Sequence, residues 1–150
     1  MKNKIHTIEV ENNETQSVEK ILEKIRNNKI IYVKNKFYED EDLLDSITKN
    51  GPAIILNSSG SSGKPRKCFH HLDNLKLSAI TSGQWLIEQG FELQNCLILN
   101  TLPLNHISGL MPIFRSQTWG CDCINISPNL IKKTRELYFS QLNLKKTKNT

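Results

Sequence analysis

The run Asn57-Ser58-Ser59-Gly60-Ser61-Ser62-Gly63-Lys64-Pro65-Arg66-Lys67 carries four serine hydroxyls, two glycines and three cations. Gly60 and Gly63 let the backbone turn back on itself and present successive N–H groups, a concave nest that suits anions. Lys64, Arg66 and Lys67 add positive charge, and a guanidinium can fork onto two phosphate oxygens. Ser58, Ser59, Gly60, Ser61, Ser62, Gly63, Lys64 and Arg66 therefore have the chemistry of a flexible polyphosphate cradle. On composition alone they also make an ordinary Ser/Gly surface loop. The run is not a Walker loop. That motif needs a glycine five residues before Gly63 and Ser or Thr after the lysine, where this chain has Ser58 and Pro65. Pro65 also pushes Lys64 towards extended geometry, so loop atoms rather than a helix N-terminus would hold the phosphates.

A second polar cluster lies in Leu102-Pro103-Leu104-Asn105-His106-Ile107-Ser108-Gly109-Leu110. His106 is its one titratable group; taken alone, it is equally a loop histidine bonded to backbone. The four cysteines, at 68, 96, 121 and 123, form no CxxC pair. They read as half-buried thiols, reduced in a cytosol, and no metal site is expected.

These segments need elements to hold them. Val18, Ile21, Leu22 and Ile25 recur at helical spacing, with Ser17 placed to cap. Residues 30–33 (IIYV) and 53–56 (AIIL) read as short buried strands, with an acidic helix over 37–49 between them. A helix is expected over 73–89, capped by Asp73 and ended by Gly90. Strands follow at 96–100 and 121–126, and helices at 108–118 and 128–140. The alternation predicts an α/β fold with a mostly parallel sheet and flanking helices, as one partial domain over 1–150. Residues 1–15 are expected to be poorly ordered, and 141–150 form a basic tail.

The chain has 150 residues and a formal net charge of +5. The first, second and third fifty residues carry 9, 4 and 7 basic groups against 10, 3 and 2 acidic ones, hence −1, +1 and +5. The excess sits after position 131, without the interleaved aromatics of a nucleic-acid surface, so no nucleic-acid partner is expected. No run approaches the roughly 20 apolar residues of a membrane span, and no apolar h-region follows Met1. The expected location is cytoplasmic.

Together the two polar segments resemble the AMP-forming acyl-CoA synthetase (adenylate-forming) superfamily. There a T/S-S-G-S/T-T/S-G-x-P-K loop follows a strand, and an L-P-L-x-H-x-x-G-L loop comes some forty residues later. Ser58 to Pro65 and Leu102 to Leu110 match these patterns, and Asn74-Leu75 falls where an Asn-Leu pair often opens the next helix. Gly83-Gln84-Trp85-Leu86, Gly109-Leu110-Met111-Pro112, Arg115 and Trp119-Gly120 are most similar to the 2-succinylbenzoate–CoA ligases of menaquinone and phylloquinone synthesis. The resemblance implies two half-reactions. A carboxylate attacks the α-phosphorus of ATP and pyrophosphate leaves; coenzyme A thiolate then attacks the acyl carbon and AMP leaves. Ser58 to Gly63, with Lys64 and Arg66, would hold the β- and γ-phosphates, with Mg²⁺ bridging their oxygens. His106, Ser108 and Gly109 would line the acyl and CoA pocket, and none of them is assigned a certain catalytic role.

The chain departs from the family pattern at Arg66, where a lysine is usual, and at Leu72, where a histidine is common; His70 and His71 lie nearer the loop. The resemblance covers roughly residues 17–131. Segments for adenine, ribose and the catalytic lysine have no counterpart. The reading is an N-terminal fragment, truncated or split, inactive alone, whose partners are a nucleotide, a carboxylate and the separate remainder of the ligase. The alternative is a stand-alone α/β phosphate-binding or interaction module. A fragment would leave strand residues at an open face; Val33, Ile54, Ile55, Leu97, Leu99, Ile124 and Ile126 are the candidates.

Overall fold

The computed structural model describes residues 4–11, 15–36, 51–58, 66–127 and 130–133. A four-stranded sheet runs in the order β1 (Ile5–Val10), β2 (Ile30–Asn35), β3 (Ala53–Ser58), β4 (Arg66–His71). β1, β2 and β3 are parallel neighbours, and β4 returns antiparallel to β3. Helix α1 (Thr15–Arg26) makes the crossover from β1 to β2. Helix α2 (Leu72–Glu88) follows β4 directly. A second, two-stranded parallel sheet pairs β5 (Leu97–Asn100) with β6 (Asp122–Asn125), connected through α3 (Ile107–Trp119). The fold is mixed α/β with mostly parallel strands, as the alternation predicts.

One face of the large sheet carries Ile8, Val10, Ile31, Val33, Ile54 and Leu56. These pack against Ile21 of α1, Leu72 and Leu75 of α2, and Leu110, Ile113 and Phe114 of α3, with Leu104 from the loop before α3. The opposite face holds a smaller cluster of Ile30, Tyr32 and Ile55, with Ile5 and Phe69 against it. β2 and β3 are buried on both faces, which is why they read as continuous apolar runs.

Several expectations need correction. Residues 5–10 are not disordered; they form an edge strand in register with β2, and Lys34 reaches Glu9 at 3.2 Å. Ile5 faces one side of the sheet and Ile8 and Val10 the other, so no single alternation announces the strand. Residues 66–71 are a strand rather than loop, which places His70 opposite Ile54 and His71 opposite Ala53. As an edge strand it needs no apolar run, and RKCFHH has none. Ser17 is buried within α1, which starts at Thr15, so it does not cap the helix. His71, not Asp73, occupies the N-cap of α2 and makes no side-chain cap bond; Asp73 sits in the first turn, where its charge suits the helix dipole. Helix α3 ends at Gly120, whose φ of 70° is left-handed and whose N–H returns to the Ser116 carbonyl at 2.9 Å. The helix expected over 37–49 lies outside the described residues; of the one over 128–140, residues 130–133 are described and are helical.

Val33, Ile54 and Ile55 are fully buried, so they border no open face. Leu97 and Leu99 of β5 and Ile124 of β6 are 55%, 58% and 48% exposed. Parallel strands are normally covered on both faces, and here an apolar one is open. Among the described residues no helix is long and apolar enough to cross a membrane.

Candidate functional site

Two of the phosphate-loop candidates, Ser58 and Arg66, sit at the mouth of the β3–β4 hairpin. β3 runs to Ser58, two residues beyond the strand that the sequence suggests, and β4 begins at Arg66. Ser59, Gly60, Ser61, Ser62, Gly63 and Lys64 lie outside the described residues. Ser58 and Arg66 are the last stem pair, and the Ser58 hydroxyl donates to the Arg66 carbonyl at 3.1 Å. Arg66 is exposed at that mouth. The next pair down, Asn57 and Lys67, is clamped from β2. The Asn57 amide donates to the Tyr32 hydroxyl at 2.9 Å, and the Lys67 ammonium lies 5.4 Å from the centre of the Tyr32 ring. Tyr32 is itself buried, so the loop stands on a stem pinned from the core. Sequence reasoning passed over Tyr32; the one signal was a hydroxyl-bearing aromatic inside an otherwise aliphatic strand.

The second segment begins at the carboxyl end of β5. In parallel α/β sheets that end of the strands is where ligands bind, and β3 leads into the Ser/Gly segment from its own carboxyl end. Leu104 is buried in the main core and anchors the loop. The His106 N–H donates to the Pro103 carbonyl at 3.1 Å, closing a turn. His106 is then the N-cap of α3, extended and exposed, with Ser108 exposed in the first turn. Gly109 is buried there, and a Cβ on it would lie 2.1 Å from the Pro103 carbonyl oxygen. Helix and loop meet backbone to backbone, which only glycine permits. Pro112, one turn on, has no N–H for the Ser108 carbonyl, so that acceptor lacks its helical donor beside His106.

Arg115 and Trp119 lie further along α3, with the guanidinium 5.9 Å from the indole ring. The indole N–H donates to the Ala79 carbonyl of α2 at 2.8 Å, tying the two helices. All four cysteines are free, and burial raises the Cys121 and Cys123 thiols above their usual range. Among the described residues no three His, Cys, Asp or Glu side chains gather as a metal site.

No family model matches the chain, and no curated protein matches it by sequence. Solved structures do. o-Succinylbenzoate CoA synthetase (MenE) from Bacillus subtilis, in complex with the acyl-adenylate intermediate OSB-AMP, superposes with a TM-score of 0.52 at 16% identity, over 91% of this chain and 47% of that one. The same enzyme with AMP gives 0.51 at 18% identity, over 83% and 43%. A double mutant bound with the product analogue OSB-NCoA gives 0.51 at 18%, over 84% and 34%. The chain has the fold of the N-terminal part of adenylate-forming enzymes. It spans less than half the length of these structures.

Proposed function

We propose that this chain is the N-terminal, phosphate-gripping part of an ATP-dependent acid–thiol ligase, with 2-succinylbenzoate as the acid, in menaquinone or phylloquinone synthesis in the cytoplasm. What carries the reading is the placement of two loops at strand carboxyl ends in a chain of this fold: the Ser/Gly loop on the Tyr32-pinned stem, and the Leu102–Gly109 loop ahead of α3. Ser58, Ser59, Gly60, Ser61, Ser62, Gly63, Lys64 and Arg66 grip the β- and γ-phosphates of ATP. Their N–H, O–H and cationic groups oppose the charge that develops as pyrophosphate departs. Mg²⁺ on the phosphate oxygens supplies further neutralisation. His106 and Ser108 border the acyl and CoA pocket, and Gly109 brings helix α3 close enough to form its wall. The matched enzyme is solved with an acyl-adenylate and with a CoA product analogue, which supports ATP and CoA as the two co-substrates.

The open β5–β6 face is where the remainder of the ligase fold would pack, on this polypeptide or a separate one. A polypeptide of these 150 residues alone does not complete the reaction. Losing one charge-stabilising donor already costs about 10²–10³ in rate. The test is ATP- and CoA-dependent thioester formation from 2-succinylbenzoate, run on the 150-residue chain and again with a polypeptide carrying the rest of the fold. No turnover alone and turnover on mixing support the proposal; robust turnover alone overturns the inactivity, and none in either case overturns the ligase assignment.

A further inference from the structure

We propose that Asn100, the last residue of β5, is the positioning residue that fixes the Leu102–Gly109 loop and with it His106. Asn100 is 1% exposed, one of three buried polar residues among those described. Its amide nitrogen donates both hydrogens, to the Gly109 carbonyl at 2.8 Å and to the Asn125 side-chain oxygen at 2.7 Å. Its own oxygen accepts the Leu102 N–H at 3.2 Å. One side chain thus joins four places: the end of β5, the start of the loop, the first turn of α3 and the facing residue of β6. The backbone beside it adds a fifth tie, since the Ile126 N–H donates to the Asn100 carbonyl at 2.8 Å.

The consequence for His106 is geometric. The loop leaves at Leu102 and returns at Gly109, and Asn100 bonds both ends. Between them the turn is closed by His106 N–H to Pro103 and roofed by the Gly109 contact with the Pro103 carbonyl. With both ends held by one rigid side chain, the backbone from which the His106 imidazole projects is set by the sheet. An aspartate here would keep the acceptor for Leu102 but lose the donor to Gly109. A leucine would fill the space and lose all three bonds, leaving buried donors and acceptors unmatched. This inference rests on the acyl-pocket reading only for what His106 does, not for how it is held.

The test compares the wild-type chain with Asn100→Leu and Asn100→Asp by amide hydrogen exchange and by NMR of the His106 imidazole. In Asn100→Leu the Leu102 amide should exchange roughly five- to tenfold faster, the loss of one net hydrogen bond, and the His106 ring signals should move. Amides of β1, β2 and β3 should keep their protection. In Asn100→Asp the Leu102 amide should stay near wild type while the His106 signals still move, because the Gly109 tie is lost. If Leu102 exchange and the His106 signals are unchanged in both variants, the proposal falls. It also falls if protection drops uniformly over both sheets, since the residue is then only structural. Where Asn100→Leu does not fold, the Asn100→Asp pattern decides. Titration with 2-succinylbenzoate of the wild type mixed with a polypeptide carrying the rest of the fold separately reads the pocket: silent His106 signals there remove the acyl assignment and leave the positioning role standing.

Discussion

Gly109→Ala puts the packing of the candidate pocket under direct strain. The added Cβ would sit 2.1 Å from the Pro103 carbonyl oxygen, 2.5 Å from its carbon and 2.7 Å from the Leu102 carbonyl oxygen. Real contacts of that kind do not fall below 3.0 Å, so backbone must move by about 1 Å. The movement pulls on the Asn100–Gly109 bond, at 2.8 Å, and on the His106–Pro103 turn. Overpacking costs about 1–3 kcal/mol, and weakening two hydrogen bonds adds about 1 kcal/mol each. The expected loss is about 3–5 kcal/mol, or roughly 6–20 °C in Tm for a domain of this size. Gly83→Ala is the comparison. Its Cβ would meet the Trp119 indole nitrogen at 2.6 Å, but a side chain can swing away at the loss of its bond to Ala79. It should cost less, about 1–2 kcal/mol. Urea unfolding followed by circular dichroism, with a thermal melt, measures both. Gly109→Ala as stable as wild type, or less damaging than Gly83→Ala, would refute the backbone-contact argument.

Two further outcomes are expected. Burial lowers the His70 pKa below 6.5, and it lowers that of His6 too. The unfolded chain therefore binds more protons as pH falls through about 6.5, so stability is full above that value and declines below it. Tm should drop between about pH 7.5 and about pH 5.5, and His70→Gln should flatten part of that slope; an unchanged slope would contradict it. The exposed Leu97, Leu99 and Ile124 face should drive association of the isolated chain, seen by light scattering after size exclusion, and Leu99→Lys with Ile124→Lys should return it towards a monomer. A monodisperse wild-type monomer with a sharp, high melting transition would favour the self-sufficient module instead.

The sequence made the buried elements legible and the edges obscure. β2 and β3 are covered on both faces, so Ile30 to Val33 and Ala53 to Leu56 stand out as apolar runs. α1 shows its stripe because one side meets the sheet and the other meets water. β1 and β4 are edge strands, and their residues divide between two faces or stay polar, so neither periodicity nor composition marks them. The site was half legible for a related reason. Donor-rich residues such as Ser58 and Arg66 declare their chemistry by type. Tyr32 acts on a partner 25 residues away, and Asn100 joins partners 2, 9 and 25 residues away that only the folded chain gathers around one side chain, so nothing in the local sequence signals either role. Gly109 was visible as part of a motif, but the reason for a glycine there is the Pro103 carbonyl, which only the folded chain brings against it.

The central claim is that the loop on the β3–β4 stem grips phosphate. Isothermal titration of the chain with pyrophosphate, at low and at raised salt, tests it most directly, with Gly63→Val and Arg66→Ala as partners to the wild type. Val disfavours the turn that a glycine permits, and Ala removes the exposed guanidinium at the mouth. The account predicts weak wild-type binding that fades as salt screens the exposed charges and fades further in both variants. No binding by the wild type, or equal binding by all three proteins, would contradict it.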